Sequence, residues 1–175
     1  MLDASLLPLQ TGRARLRALH PDDAPAFAEG TDDPDVRTYG HLPEPQYTPD
    51  SVVAMIDREA RPGLERGDLA VLAIADVHDE FTGSLVLFGV TDREAEVGFW
   101  VHPKRRGGGV AVAALDLAAR FAGRSGLVRL TARTATGNAA SQRVLTRAGF
   151  TEMGEDTGVA PSGRKVRFLR YQREI

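Results

Sequence analysis

Residues Ala95 to Ala119 read AEVGFWVHPKRRGGGVAVAALDLAA. A short apolar strand (Val97, Phe99, Trp100, Val101) runs into His102-Pro103, a basic triplet, three glycines and an apolar helix. Proline cannot donate to a ladder and Lys104-Arg105-Arg106 cannot be core, so the strand ends near His102. Gly107-Gly108-Gly109 lets the backbone curl with its N–H groups inward at the start of the helix. There the first N–H groups lack intrahelical partners and the helix dipole is positive. A strand, basic residues and a glycine turn opening a helix form an anion cradle, most often for phosphate.

The pattern excludes two familiar phosphate ligands. No Gly-Lys-Ser/Thr follows, so it is not a nucleotide P-loop. A dinucleotide fingerprint starting at Gly107 and Gly109 would need Gly or Ala where Val112 stands, and no earlier strand-helix units support it. Arg106-x-x-Gly109-x-Ala111 instead matches R/Q-x-x-G-x-G/A and resembles the GCN5-related N-acetyltransferases. A second segment agrees. Asn138-Ala-Ala-Ser141-Gln-Arg-Val-Leu-Thr-Arg-Ala-Gly149-Phe150 is similar to that family's N-x-x-S-x-x-x-L-x-x-x-G-F, and Asn138 is the only asparagine in the chain. The resemblance runs from about Gly12 to the C-terminus and points to the Rim-like, ribosomal-protein N-terminal acetyltransferase branch.

Outward from these segments, the 175 residues suit one domain, 1–175, with a sizeable core. Net charge is −2, so bulk electrostatics support no nucleic-acid partner. The absence of cysteine excludes disulfides, a thiol nucleophile and a Cys-type zinc site. The four histidines are scattered with no i,i+4 pair, so no metal is expected. No apolar run is long enough to span a membrane, and the N-terminus lacks the pattern of a signal peptide. The expectation is a cytoplasmic protein with no membrane partner, and a homodimer is compatible with the sequence.

Alternation over Gly12 to Leu19 predicts a strand with Ala14, Leu16 and Ala18 on one face and Arg13, Arg15 and Arg17 on the other. His20-Pro21-Asp22-Asp23 starts a helix that fades at Gly30, and a second covers Asp33 to Tyr39. Gly40 to Pro49 reads as a loop. Thr48 caps a further helix that Pro62-Gly63 interrupts. Leu69–Val77 and Phe81–Val90 form an antiparallel hairpin. Helices at Gly109–Gly123 and Asn138–Ala148 and strands at Leu127–Thr134, Phe150–Glu155 and Lys165–Arg173 complete the chain, with a loop at Gly158–Gly163. The order β-α-α-β-β-β-α-β-α-β-β is mixed α/β. The resemblance implies a central mixed sheet flanked by helices and splayed between its fourth and fifth strands, here Glu96–His102 and Leu127–Thr134.

It also implies acetyl-CoA as co-substrate. The backbone of Gly107, Gly108, Gly109, Val110 and Ala111 would bind the pyrophosphate, with Arg105 and Arg106 beside it. Phe99 and Val101 would pair with the pantetheine arm through their backbones, and Asn138 and Ser141 would complete the cofactor wall. Trp100 reads as core. Acetyl transfer needs a neutral amine, a polarised carbonyl and a protonated leaving thiolate. At pH 7.4 an α-amine is roughly a quarter neutral, whereas a lysine-type amine is neutral in about one part per thousand. Glu96, an acid in an apolar strand, is the candidate base, acting directly or through water; the alternative is a structural pairing with Arg93 or another arginine. Many family members place a tyrosine where this chain has Leu145, so Ser141 is the candidate proton donor to the thiolate. As an alternative, its hydroxyl bonds back to a helix carbonyl. Tyr39 and His41 are candidate acceptor-site residues. The acceptor is an amine on a small molecule, a polyamine or a protein N-terminus. Two alternatives stay open: a non-catalytic acyl-CoA-binding or regulatory domain, and a different donor such as succinyl-CoA.

Overall fold

The computed structural model describes residues 1–40, 42–159 and 165–175. Eight strands form one sheet: β1 (Leu9–Gln10), β2 (Arg15–Ala18), β3 (Ala70–Ala75), β4 (Phe81–Phe88), β5 (Glu94–Val101), β6 (Arg129–Ala135), β7 (Thr151–Val159) and β8 (Lys165–Glu174). The strand order is β1-β2-β3-β4-β5-β6-β8-β7. Among the described residues β5 and β6 are the parallel pair and all other neighbours are antiparallel. Helices α1 (Ala24–Thr31), α2 (Pro34–Tyr39), α3 (Pro49–Met55) and α4 (Arg61–Arg66) precede β3; α5 (Val110–Arg124) and α6 (Ala139–Arg147) flank β6.

The two faces of the sheet bury different helices, and the period-2 alternation of β5 shows the division. Ala95 and Val97, with Phe99 and Val101 at its margin, join a core built with Leu72, Leu85, Leu115 and Phe121 under α5. Trp100 points the other way, into a core with Phe27, Val52, Ile56 and Phe81 under α1 and α3. Glu96 and Gly98 share the parity of Trp100.

Several expectations need correction. The short strand β1 pairs Leu9 with Leu16 and so adds a strand ahead of the expected order. The predicted fourth and fifth strands are therefore β5 and β6. Ala18 is exposed while Leu19 is buried, because the strand ends at Ala18 and the alternation stops with it. Pro62-Gly63 does not interrupt the helix that Thr48 caps. The segment Ile56–Ala60 widens into a π turn, in which the Arg61 N–H donates to the Ile56 carbonyl, and α4 follows directly. An α-helical bond to the Arg58 carbonyl would need the N–H that Pro62 lacks, and its ring would clash there. The wider turn removes that conflict. Strand β7 runs through Gly158 to Val159, where the loop was expected to begin; the rest of that expected loop, Ala160 to Gly163, lies outside the described residues.

Candidate active site

Strands β5 and β6 pair only over Glu94↔Arg129, Ala95↔Leu130 and Glu96↔Thr131, after which they separate. The parity of the backbone groups shows which edge is left open. The His102 N–H donates to the Thr82 carbonyl, towards the β4 side, while the Arg93 carbonyl accepts from Val128 and Arg129, towards β6. Backbone groups alternate sides along a strand. The N–H and C=O groups of Phe99 and Val101 therefore face the gap, past the last paired residue. A pantetheine arm, with its two amides, could extend the sheet there.

At the upper end of β5 the chain turns through Pro103–Arg105, a 3₁₀ turn, into the three glycines. Gly107 (φ +92°) and Gly109 (φ +74°) adopt left-handed backbone that other residues rarely take. Helix α5 has no side-chain cap, and its first bond is from Ala113 N–H to the Gly109 carbonyl. The N–H groups of Gly107 to Val112 thus have no acceptor among the described residues. A Cβ added at Gly107 or Gly108 would meet nothing within 4 Å, so the space above the turn is open. Such a row of unpaired backbone donors beside open space has the character that anion binding requires.

The arginines are placed differently from the sequence expectation. Arg106 donates to Asp33 (2.7 Å) and Asp35 (3.5 Å), and Arg105 to Glu80 (2.6 Å). Their guanidinium groups tie the turn to α2 and to the β3–β4 hairpin, and the backbone remains the donor row. Arg13, which the sequence reading did not single out, donates from Nη1 to the Gly108 carbonyl (3.3 Å). It ties the Gly108 carbonyl to β2's approach and places a cation beside Gly109. Its only signal was the Arg13, Arg15, Arg17 alternation.

At the start of α6, Asn138 does two jobs. Its Oδ1 accepts from the Ser141 N–H (3.1 Å), an N-cap bond, and its Nδ2 donates to Ser141 Oγ (2.9 Å). A backbone N–H can only donate, so the first bond fixes the amide orientation and makes Ser141 Oγ the acceptor in the second. The hydroxyl hydrogen is left to point elsewhere, and Ser141 lines the cleft. No bond from Ser141 back to a helix carbonyl is present among the described residues. Leu145 is buried, so the position of the family's tyrosine holds no proton donor.

Glu96 lies where the strands part, and its Oε1 accepts from Arg133 Nε (2.7 Å). Arg133, two residues past Thr131 on β6, also stacks over the Phe168 ring (5.1 Å to its centroid). Of the two sequence readings of Glu96, the structure therefore displays the ion pair, with Arg133 rather than Arg93 as partner. The gap opens into a cleft of about 430 Å³ lined by Glu96, Gly98, Phe99, Asn138, Ser141 and Tyr39, with Trp100 at its wall. Tyr39, at the end of α2, lines the cleft with its hydroxyl oxygen 3.6 Å from where a Cβ of Gly137 would stand. His41 lies outside the described residues. Val101 and the glycine turn lie above the cleft rather than on its wall. No cluster of three or more His, Asp or Glu suited to a metal ion occurs among the described residues.

The sequence matches the family profile of the acetyltransferase (GNAT) domain over residues 13–151. The chain belongs to the GNAT acetyltransferase family. Solved structures share the fold of this N-acetyltransferase. Mycobacterium smegmatis RimJ in complex with CoA-disulfide is 25% identical, with a TM-score of 0.82 over 92% of this chain and 81% of that one. The ribosomal-protein-S5-alanine acetyltransferase of Vibrio fischeri is 15% identical (TM-score 0.80; 96% of each chain). Spermidine N-acetyltransferase of Vibrio cholerae, in complex with CoA and spermine, is 18% identical (TM-score 0.77; 94% and 96%). No functionally curated relative matches by sequence. Among the described residues no helix is long and apolar enough to cross a membrane.

Proposed function

We propose that this acetyltransferase moves the acetyl group of acetyl-CoA directly onto a primary amine within a ternary complex. The observation that carries the reading is that one strand serves both ends: β5 edges the gap at Phe99 and Val101 beyond Glu96, and it turns through Pro103–Arg105 into the open N–H row at Gly107–Val112. The row receives the pyrophosphate, the strand edge receives the pantetheine amides, and the thioester arrives beside Ser141. The amine nitrogen forms a bond to the acetyl carbon as the carbon–sulfur bond breaks. Glu96 takes the proton leaving the amine, through a water, by the carboxylate oxygen that Arg133 does not hold. The Ser141 hydroxyl, its oxygen already occupied by Asn138, hands its hydrogen to the departing sulfur and is reprotonated from solvent. A chain without cysteine has no thiol for an acyl-enzyme.

Acetyl rather than succinyl donation follows from Arg133. A succinyl carboxylate would need a free cation in the cleft, and among the described residues the one arginine lining it is engaged by Glu96. The test is thiol release from acetyl-CoA and succinyl-CoA across amine classes, with thermal unfolding in parallel. Release with acetyl-CoA and a stabilising shift are expected. A stabilising shift without release from any amine would make the chain a binding domain instead.

A further inference from the structure

The acceptor side of the cleft has an unusual balance of surfaces. Its wall includes Phe27, Tyr47, Met55, Val71 and Trp100 from one side and Phe168 from the other. Phe27 meets Trp100 edge-on at 5.1 Å and Tyr47 at 5.4 Å, so the aromatic part of this wall is braced. Among the described residues two carboxylates, Glu59 and Glu96, line the cleft, and Glu96 is paired with Arg133. Glu59 has no ion-pair or hydrogen-bond partner among the described residues. It lies within the π turn Ile56–Ala60. Burial pushes the Tyr47 phenol above its ordinary value, and the charges of Glu44 and Glu59 add to that shift.

We infer that the acceptor is a primary amine carried on an aromatic or bulky aliphatic group, which rests on the Phe27–Tyr47–Met55 wall while Glu59 receives its ammonium on entry. This rests on the acetyl-transfer reading above. The same surfaces disfavour the other acceptor classes. A polyamine brings several ammonium groups, and beyond Glu59 the cleft offers them no free carboxylate. A charge buried without a partner is costly. A peptide brings a row of N–H and C=O groups that an apolar wall leaves unpaired. The nearby polar Ser84 is already committed, donating to the Leu72 carbonyl. An arylalkyl or branched alkyl amine has one charge and one apolar body, which is what the wall provides.

Trp100 is the only tryptophan of the chain, so its fluorescence reports ligands at this wall. Full-length protein is titrated with phenethylamine, 2-phenylethanol, spermidine and an alanine-initiated tetrapeptide, and thiol release from acetyl-CoA is measured with each amine. Phenethylamine should bind and turn over at least about tenfold better than spermidine or the peptide, the scale expected for one buried aromatic group. It should bind about tenfold better than the alcohol, and Glu59→Gln should remove that preference, as expected for a charge-assisted contact. Leu42→Ser, in the loop at the cleft edge, should weaken amine and alcohol alike. Higher kcat/KM with spermidine or the peptide overturns the inference, as does an unchanged amine-to-alcohol ratio in Glu59→Gln. Selective phenethylamine binding without thiol release would uphold the acceptor class and sink acetyl transfer, so the two readings fail separately.

Discussion

Gly109→Val separates a phosphate cradle from a surface turn. Gly109 is the N-cap of α5 at φ +74°, and an added Cβ would come no closer to another residue than 3.9 Å, to Arg13 Nη1. The cost in the free protein is therefore conformational rather than steric, and left-handed backbone costs an L-residue about 1–2 kcal/mol. For a chain of this length that lowers Tm by about 2–8 °C. The ligand effect is larger. Acetyl-CoA at about 100 times its Kd stabilises the wild type by about 2.7 kcal/mol, or about 5–11 °C. Losing two charge-assisted bonds from the displaced N–H row weakens affinity about 100-fold. At the same concentration the variant then gains only about 0.4 kcal/mol, a shift of about 1–2 °C. Differential scanning fluorimetry with and without acetyl-CoA reads both numbers. Equal ligand-induced shifts in wild type and variant would refute the cradle, whatever the melting temperature of the free protein.

Ser141→Ala should lower kcat about 100-fold, the low end for general acid catalysis, with acetyl-CoA affinity unchanged in a binding titration; an unchanged kcat removes the hydroxyl from the mechanism. Glu96→Gln can still accept from Arg133 but cannot take a proton, so the rate loss from pH 6 to 9 should shrink as the acceptor approaches its own pKa. Parallel pH profiles with a lowered Tm would leave Glu96 a structural partner. Arg17 donates to both oxygens of Asp23 and to Asp79, with side-chain exposures of 15% for Arg17 and 6% for Asp23. Bonding to Asp23 holds its guanidinium above the ordinary value despite burial. Asp23→Ala should cost about 3 kcal/mol, a Tm lower by about 6–12 °C. Partial burial opposes it, yet Arg106 and the Val36 N–H hold the Asp33 carboxyl below its ordinary value. Such a group adds stability above its unfolded pKa of about 4, lost as pH falls through the lower folded value. Asp33→Asn should therefore lose less Tm than wild type between pH 6 and pH 3 in parallel melts.

The features legible in the sequence are those set by neighbours along the chain. The glycine turn and its N–H row follow from backbone conformation and from the four orphan donors that every helix start carries. Asn138 and Ser141 meet because an N-cap side chain reaches the N–H three residues on. Trp100 was legible as core, but which core it joins, and that Glu96 shares its face, came from the structure. Partner choice could not be read this way. Arg106 and Asp33 stand 73 residues apart, Arg133 and Glu96 37 apart, and each charge had many complements among the 46 charged side chains. Only the sheet register, which places Thr131 beside Glu96 and so Arg133 within reach, selects one of them. Glu59 shows the same limit within a single helix: Pro62 predicts a break, yet the π turn accommodates the missing N–H and the helix continues with Ile56 and Ala60 in the core. Caps and turns are local hydrogen-bond problems that sequence alone solves, whereas the gap, its ion pair and its apolar wall exist only once distant segments share one sheet.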